Sequence, residues 1–306
     1  MDGKRGHERQ SLGLIQALKT LMPIAVQDVP ALSFWQACYL WLSASFKSKA
    51  QSSHDLLAPD LIIGVGHATH MTLLALKKST QAKAVVLMKP SLPCACFDLC
   101  LIPKHDAVQA NNVLQTEGAL NAMAFYNTQH KINDTGLILI GGPSKHYVWD
   151  ASAIIAQIQQ LLAIDAKRHW FLSTSRRTPE DFVTLLKQQL EALHLVAPQF
   201  AIVSHLDVDE NWLPQQLAQS EVVWTSPDSV SMLYESLTAA CRVGVFDLQP
   251  NPKSEIAASV QALLQQHKLV DFSTWEKSKE MFAADLNFNE ALRCAQWIKS
   301  NWFPNH

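Results

Sequence analysis

Gly136-Leu137-Ile138-Leu139-Ile140-Gly141-Gly142-Pro143-Ser144-Lys145-His146 decides the reading of this chain. A short unbroken apolar run, closed by two glycines and followed by polar donors, is a buried strand that delivers a loop. The same pattern recurs on both sides. Upstream, Leu61-Ile62-Ile63-Gly64-Val65-Gly66 leads into a helical pattern over 67–78, and 84–88 and 98–102 are further short apolar strands. Downstream, 169–173, 200–204, 221–225 and 243–247 read as strands, with helices expected over 149–163, 179–193, 212–218, 229–240 and 255–267. Such strands, separated by helices, specify parallel sheets covered on both faces.

The polar stretch Gln129-His130-Lys131-Ile132-Asn133-Asp134 separates the two series. The expected fold is therefore α/β, with two Rossmann-like doubly wound domains facing a cleft. The expected domains are 1–132 and 133–287, with 288–306 forming a helix that packs back on the first. In such sheets ligands bind beyond the carboxyl ends of the strands, so the loops that follow strands are where chemistry is sought.

Composition narrows the function classes. Of 306 residues, 48% are hydrophobic and 17% charged, against roughly 25% charged in an average soluble protein, which excludes a disordered chain or a coiled coil. A net charge of -2 with a pI near 6.6 provides no global field to recruit nucleic acid. Mean hydropathy is high at +0.01, yet no stretch reaches the roughly 18 apolar residues of a membrane span. The start of the chain has no secretory pattern, so Cys38, Cys94, Cys96, Cys100, Cys241 and Cys294 are expected as reduced thiols in a cytoplasm. Cys94-x-Cys96-x3-Cys100 lacks the paired spacing of a zinc site, and no metal is expected.

Five loops carry candidate chemistry. Asp2-Gly3-Lys4-Arg5-Gly6-His7 runs into an amphipathic helix with Leu12, Leu14, Ile15 and Leu18; a glycine-bracketed turn there suits a phosphate or sugar group, or is a loose arm. Gly64-Val65-Gly66-His67-Ala68-Thr69-His70 sets two histidines at i and i+3, as a ligand pair, a base with its partner, or a helix cap. Gly141 and Gly142 allow close backbone approach, with Ser144 and Lys145 as donors, although the Walker A spacing is absent. Thr174-Ser175-Arg176-Arg177-Thr178-Pro179 offers fork-shaped guanidinium donors for a diphosphate, with Thr178 expected to cap the next helix. Thr225-Ser226-Pro227-Asp228-Ser229-Val230-Ser231 clusters hydroxyls at a helix start, and Glu235 about two turns in suits the vicinal hydroxyls of a ribose. Taken singly, the last loop is also satisfied by a cap at Asp228 with Glu235 in solvent.

These residues carry a resemblance. Asp2-Gly3-Lys4-x-Gly6-His7-Glu8-x-Gln10-Ser11-x-Gly13-Leu14, Phe97-Asp98-Leu99 with Ile102-Pro103-x-His105-Asp106, Gly141-Gly142-Pro143-Ser144-Lys145-x-Tyr147-x-Trp149, Thr174 to Pro179 and Asp228-Ser229-Val230-Ser231-Met232-x-x-Glu235 resemble, in order, the mitochondrial fission Elm-type family with its bacterial members. That family is similar to the GT-B glycosyltransferases. Three departures stand out: the strand before Asp2 is missing, Arg5 replaces a common proline, and Ala240-Cys241-Arg242 replaces a Gly-Lys-Pro turn.

The resemblance implies a metal-independent glycosyltransferase with no cofactor. It would move a sugar from a nucleotide-diphosphate sugar to an acceptor of the lipid-linked or cell-envelope kind. Gly141, Gly142, Ser144, Lys145, Asp228, Ser229 and Ser231 would cradle the donor, Arg176 would offset its charge and Glu235 would hold the ribose. His7, with His67 as the other candidate, would deprotonate the acceptor, with Gly6, Gly66 and His70 on the acceptor side. The alternative is a non-catalytic adaptor, since the plant member is associated with recruiting the fission dynamin to mitochondria. The aromatic segment 31–42, followed by Lys47 and Lys49, is expected chiefly as a buried domain helix. Its other reading is a peripheral helix at the inner face of a membrane.

Overall fold

The computed structural model describes residues 5–43, 59–123, 131–192 and 200–305. The chain forms two compact units: Met1–Ala122 with Glu290–His306, and Met123–Asn289. The division falls ahead of the polar stretch, of which Gln129 and His130 lie outside the described residues.

In the first unit, α1 (Arg5–Leu21) and α2 (Phe34–Ser43) precede β1 (Leu61–Val65), α3 (His70–Thr80), β2 (Lys83–Leu87), β3 (Leu99–Pro103) and β4 (Val113–Thr116). The four strands are parallel, in the order β1-β2-β3-β4. Every residue of β3 is buried, as are four of the five in β2, which is why these runs are continuously apolar. Leu14, Ala17 and Leu18 of α1 are buried at helical spacing. They belong to the helix that packs on α10 (Glu290–Trp302), which returns to this unit after the second is complete. The Nζ of Lys299 donates to the carbonyl of Leu21 at 2.8 Å, and Glu290 accepts from the N–H of Glu117 at 2.8 Å.

Two expectations for this unit change. The loop ascribed to residues 2–7 is helical from Arg5 onward, so Gly6 and His7 lie in the first turn of α1 rather than ahead of it; Asp2, Gly3 and Lys4 lie outside the described residues. The helix expected to be buried is not. Only Ala37 of α2 is buried, while Phe34 (58%), Trp35 (80%), Tyr39 (76%) and Leu42 (54%) are exposed. The helix holds to α3 by one edge, where the Lys78 ammonium stands 3.5 Å from the centre of the Trp41 ring. Lys47 and Lys49 lie outside the described residues.

The second unit alternates β5 (Ile132–Leu139), α4 (Ala151–Ile164), β6 (His169–Ser173), α5 (Glu180–Ala192), β7 (Phe200–Val203), α6 (Trp212–Gln219), β8 (Ser220–Thr225), α7 (Val230–Thr238), β9 (Arg242–Val245), α8 (Glu255–Gln265), β10 (Val270–Asp271) and α9 (Phe272–Ser278). Its parallel sheet has the order β10-β9-β8-β5-β6-β7, which reverses direction between β5 and β8. Buried residues fill both faces. One layer includes Ile138, Ile154, Trp170 and Phe182; the other includes Leu137, Val223, Leu233 and Leu263. Trp224, Phe246, Phe272 and Trp275 pack ring to ring. This aromatic cluster accounts for part of the tryptophan content. Caps follow sequence: Asp150 accepts from the N–H of Ala153 and Ser254 from that of Ala257. β5 extends into the stretch expected to be a linker, because Ile132 pairs with Ser220 across a register shift.

Candidate functional site

Three loops of the second unit converge at the carboxyl ends of β5, β6 and β8, on the side of the switch in strand order. The N–H of Gly141 donates to Ser226 Oγ at 2.7 Å, and that of Gly142 donates to Asp228 Oδ2 at 2.9 Å. Ser175 and Thr178 both donate through their hydroxyls to the carbonyl of Gly141. The Arg177 guanidinium lies 2.9 Å from Asp228 Oδ2 and donates to the carbonyl of Gly142. The two glycines are needed by the protein itself. A Cβ on Gly141 would stand 2.1 Å from Asp228 Oδ2, and one on Gly142 would stand 2.0 Å from the Arg177 carbonyl.

Asp228 is the hub of this arrangement. Its side chain is 1% exposed, and Oδ1 is buried without a partner among the described residues. Burial, and secondarily the charge of Asp228, push the Tyr147 phenol well above its ordinary range. Ser229 takes the N-cap position of α7 in place of Asp228, without a side-chain capping bond. Glu235 is buried on α7 rather than solvated, and Ser231 is exposed. Thr178, expected to cap α5, instead turns its hydroxyl to the end of β5.

The remaining donors sit around this hub. Ser144 is half-buried and accepts from the N–H of His146 at 3.1 Å. Lys145 and Arg176 are exposed. Arg177 spends its charge on Asp228, whereas Arg176 and Lys145 make no ion pair among the described residues. The clamp formed by Ser226, Arg177 and Asp228 was not singled out by sequence pattern. Its signal is the single pair Gly141–Gly142 together with an acidic residue after the neighbouring strand, which only the β5–β8 pairing reveals.

A second polar group forms at the carboxyl edge of the first sheet. His67 follows β1 in a 3-10 turn, and His70 opens α3. Their rings meet edge to face with centroids 5.7 Å apart, and His70 leans on Phe97 in the same way. Ser91, in the loop after β2, lies between them: its Oγ is 2.6 Å from His67 Nδ1 and 3.1 Å from His70 Nδ1. His67 is exposed and His70 buried. Burial, and then the neighbouring His67, hold the His70 imidazole below its ordinary value. His7 is half-buried on α1, one turn before Gln10. Gln10 donates to Met88 Sδ at 3.3 Å, so this end of α1 approaches the end of β2. Gly66 ends the β1 loop immediately before His67, and Gly6 is exposed on α1. A cavity of about 450 Å³ lined by Asp60, Lys83 and Trp302 lies at the amino ends of β1 and β2, away from these residues.

Among the described residues no three His, Cys, Asp or Glu side chains converge as a metal site. No helix among them is long and apolar enough to cross a membrane.

Two parallel, helix-covered sheets with a donor-rich loop cluster at a strand-order switch define a GT-B-like α/β fold. The chain belongs to the family described as Mitochondrial fission ELM1, whose model matches residues 5–302. A curated relative, Uncharacterized protein RP120 of Rickettsia prowazekii (strain Madrid E), is 22% identical over 236 residues. That match covers 63% of this chain and 66% of the relative, so the chain spans just under two thirds of that protein's length. Among solved structures, the UDP-GlcNAc 2-epimerase of Methanocaldococcus jannaschii superposes with a TM-score of 0.51 at 13% identity, covering 97% of this chain and 98% of that one. The UDP-GlcNAc 2-epimerase of Neisseria meningitidis bound to UDP-GlcNAc gives 0.51 at 11% identity, with 97% of both chains covered. At these identities the likeness is one of fold.

Proposed function

We propose that this protein is a metal-independent glycosyltransferase that uses a nucleotide-diphosphate sugar. The observation that carries the reading is the convergence of the Gly141–Gly142 loop, the arginine loop and the α7 N-terminus at the strand-order switch of the second sheet. The Ser144 and Ser231 hydroxyls, with Ser229 at the start of α7, would receive the diphosphate, on a loop whose Gly141 and Gly142 N–H groups are already held by Ser226 and Asp228. Asp228 braces that cradle from behind, and Arg176 and Lys145 would offset the phosphate charge. Glu235 would accept hydrogen bonds from the ribose hydroxyls. The UDP-GlcNAc named with the Neisseria structure makes UDP the first nucleotide to test.

In the reaction, the acceptor oxygen forms a bond to the anomeric carbon while the bond to the diphosphate breaks and its electron pair leaves with the phosphate oxygen. The acceptor's proton passes to a histidine, either His7 or His67, with Gly6, Gly66 and His70 shaping the acceptor side. The acceptor belongs to the lipid-linked or cell-envelope class, and the reaction is placed in the cytoplasm at the inner face of a membrane. The exposed aromatics of α2 favour that placement, since Trp and Tyr rest well at a lipid interface. Flotation with anionic vesicles tests it: a chain that stays at the bottom of the gradient removes the membrane from the reading.

Titration calorimetry with UDP and the other nucleoside diphosphates tests the donor site. Binding of one nucleotide, weakened at least tenfold in Glu235→Gln and in Arg176→Ala, is the expected result. No binding to the wild type, or unchanged binding in Glu235→Gln, rules the donor site out and leaves the adaptor reading.

A further inference from the structure

We propose that Ser91 is a positioning residue: its hydroxyl joins His67 and His70 into one hydrogen-bonded chain that leaves Nε2 of His67 bare to take up a proton. The assignment rests on the reading of His67 as an acceptor base and gives that base its partners.

Geometry sets the choices. Both imidazoles turn Nδ1, not Nε2, toward the same oxygen, at 2.6 and 3.1 Å. A hydroxyl carries one proton, so when both contacts are made it donates to one ring nitrogen and accepts from the other. The two histidines are therefore held in opposite neutral tautomers. One direction places Nδ1–H on His67, donating to Ser91, while Ser91 donates to the bare Nδ1 of His70. The other reverses every proton.

The surroundings select the first direction. His70 is buried against Phe97, where a charge is costly, and it serves best as a neutral acceptor at the inner end. His67 is exposed at the outer end. With Nδ1 protonated and hydrogen-bonded, its Nε2 lone pair is free. When Nε2 takes a proton from an acceptor hydroxyl, the resulting imidazolium already donates through Nδ1 to Ser91, and no other hydrogen bond in the chain has to turn. The cation stays at the exposed end. This is the role an orienting acceptor plays for any catalytic imidazole, filled here by a hydroxyl backed by a second histidine.

The loop that carries Ser91 is held for this placement. Met88, the residue after β2, has φ 69, a left-handed conformation that is strained for a non-glycine residue. Two bonds enforce it. The Met88 N–H donates to the carbonyl of Leu101 at 2.8 Å, and Gln10, itself buried, reaches Met88 Sδ from α1. Strain maintained at the carboxyl edge of a parallel sheet turns the chain so that Ser91 comes back over the start of α3.

Long-range proton–nitrogen correlation spectra of the full chain labelled with 15N-histidine, near neutral pH, read both tautomers directly. His67→Gln and His70→Gln assign the signals. The expected wild-type result is Nδ1–H on His67 and Nε2–H on His70. In Ser91→Ala, His67 should pass mainly to the Nε2–H form, and Ser91→Thr, which keeps the hydroxyl, should restore the wild-type pattern. Nε2–H on His67 in the wild type, or a His67 tautomer unmoved by Ser91→Ala, overturns the proposal. The calorimetric test with UDP is independent of these spectra. Failure to bind nucleotide therefore removes the donor reading, and the hydrogen-bonded chain stands or falls on the tautomers.

Discussion

Asp228→Ala is the perturbation that most directly tests how the loop cluster of the second unit is built. The substitution removes the acceptor of the buried Gly142 N–H, which costs about 1–3 kcal/mol. It also removes the ion pair with Arg177, but that guanidinium is 43% exposed, so solvent screening limits the loss to about 0.5–1 kcal/mol. Against these stands a gain: Oδ1 is buried without a partner among the described residues, and deleting it relieves a desolvation cost of about 1 kcal/mol. The net expectation is a loss of about 2 kcal/mol, or roughly 4–8 °C in Tm for a unit of this size. Asp228→Asn keeps an acceptor for Gly142 and gives up only the charge, so it should lose less than about 1 kcal/mol. Differential scanning calorimetry of the wild type and both variants measures the series. An Asp228→Ala protein within about 0.5 kcal/mol of wild type, or an Asn variant as damaged as the Ala variant, refutes Asp228 as the brace of the cradle.

Gly142→Ala should destabilise by about 1–3 kcal/mol in the same calorimetric assay, because its Cβ would meet the Arg177 carbonyl at 2.0 Å and backbone has to move. Arg168, 13% exposed and paired with Asp165 and Glu221, should lose about 2 kcal/mol on replacement by Met. The guanidinium of Arg168 holds Glu221 below the usual carboxylate range, so that stabilisation is present above about pH 4.5 and disappears as pH falls through the lowered value; urea midpoints against pH should be flatter in Arg168→Met. His70 is held below its ordinary value by burial, so the folded state resists its protonation and stability falls as pH drops below about 6.5. His70→Asn should remove that part of the acid slope, again read from urea midpoints. Burial pushes Cys100 and Cys294 up to about 12 and raises Cys241. Iodoacetamide at mildly alkaline pH should therefore label Cys38, Cys94 and Cys96 and spare these three in the native protein, as peptide mass spectrometry would show.

The strands were legible because burial on both faces leaves nothing but apolar residues to read. The reading of 169–173 coincides with β6, and those of 61–66 and 200–204 end one residue beyond β1 and β7. β4 and β10 were missed for opposite reasons. Val113–Thr116 is an edge strand with two polar residues, and Val270–Asp271 is too short to leave a periodic trace. Ile132–Asp134 read as a linker because exposed residues look like a loop until the partner strand is known. The α2 segment misled in another way: apolar composition marks an expected core, yet Trp35 and Tyr39 face outward.

The candidate residues were legible as loops and not as contacts. Gly141–Gly142, the arginine loop and the hydroxyl cluster each stood out, but Arg176 and Arg177 are indistinguishable as letters. Only the fold turns Arg177 into the partner of Asp228 and leaves its neighbour in solvent. His67 and His70 were visible at i and i+3. Ser91 was not, since it follows a different strand and reaches them only through the parallel pairing of β1 with β2.

The return of α10 to the first unit has a consequence for biosynthesis. Leu14, Ala17 and Leu18 of α1 emerge from the ribosome before the second unit, while Ala291, Cys294, Ala295 and Ile298 of the helix that packs on α1 emerge after it. The second unit has every strand of its sheet before α10 exists, so it can close while the chain is still growing. The first unit has to wait with an apolar seam open through the whole synthesis of the second. A ribosome stalled before Glu290 would thus hold one finished unit and one sticky one, and the nascent first unit is where a chaperone has the longest time to bind.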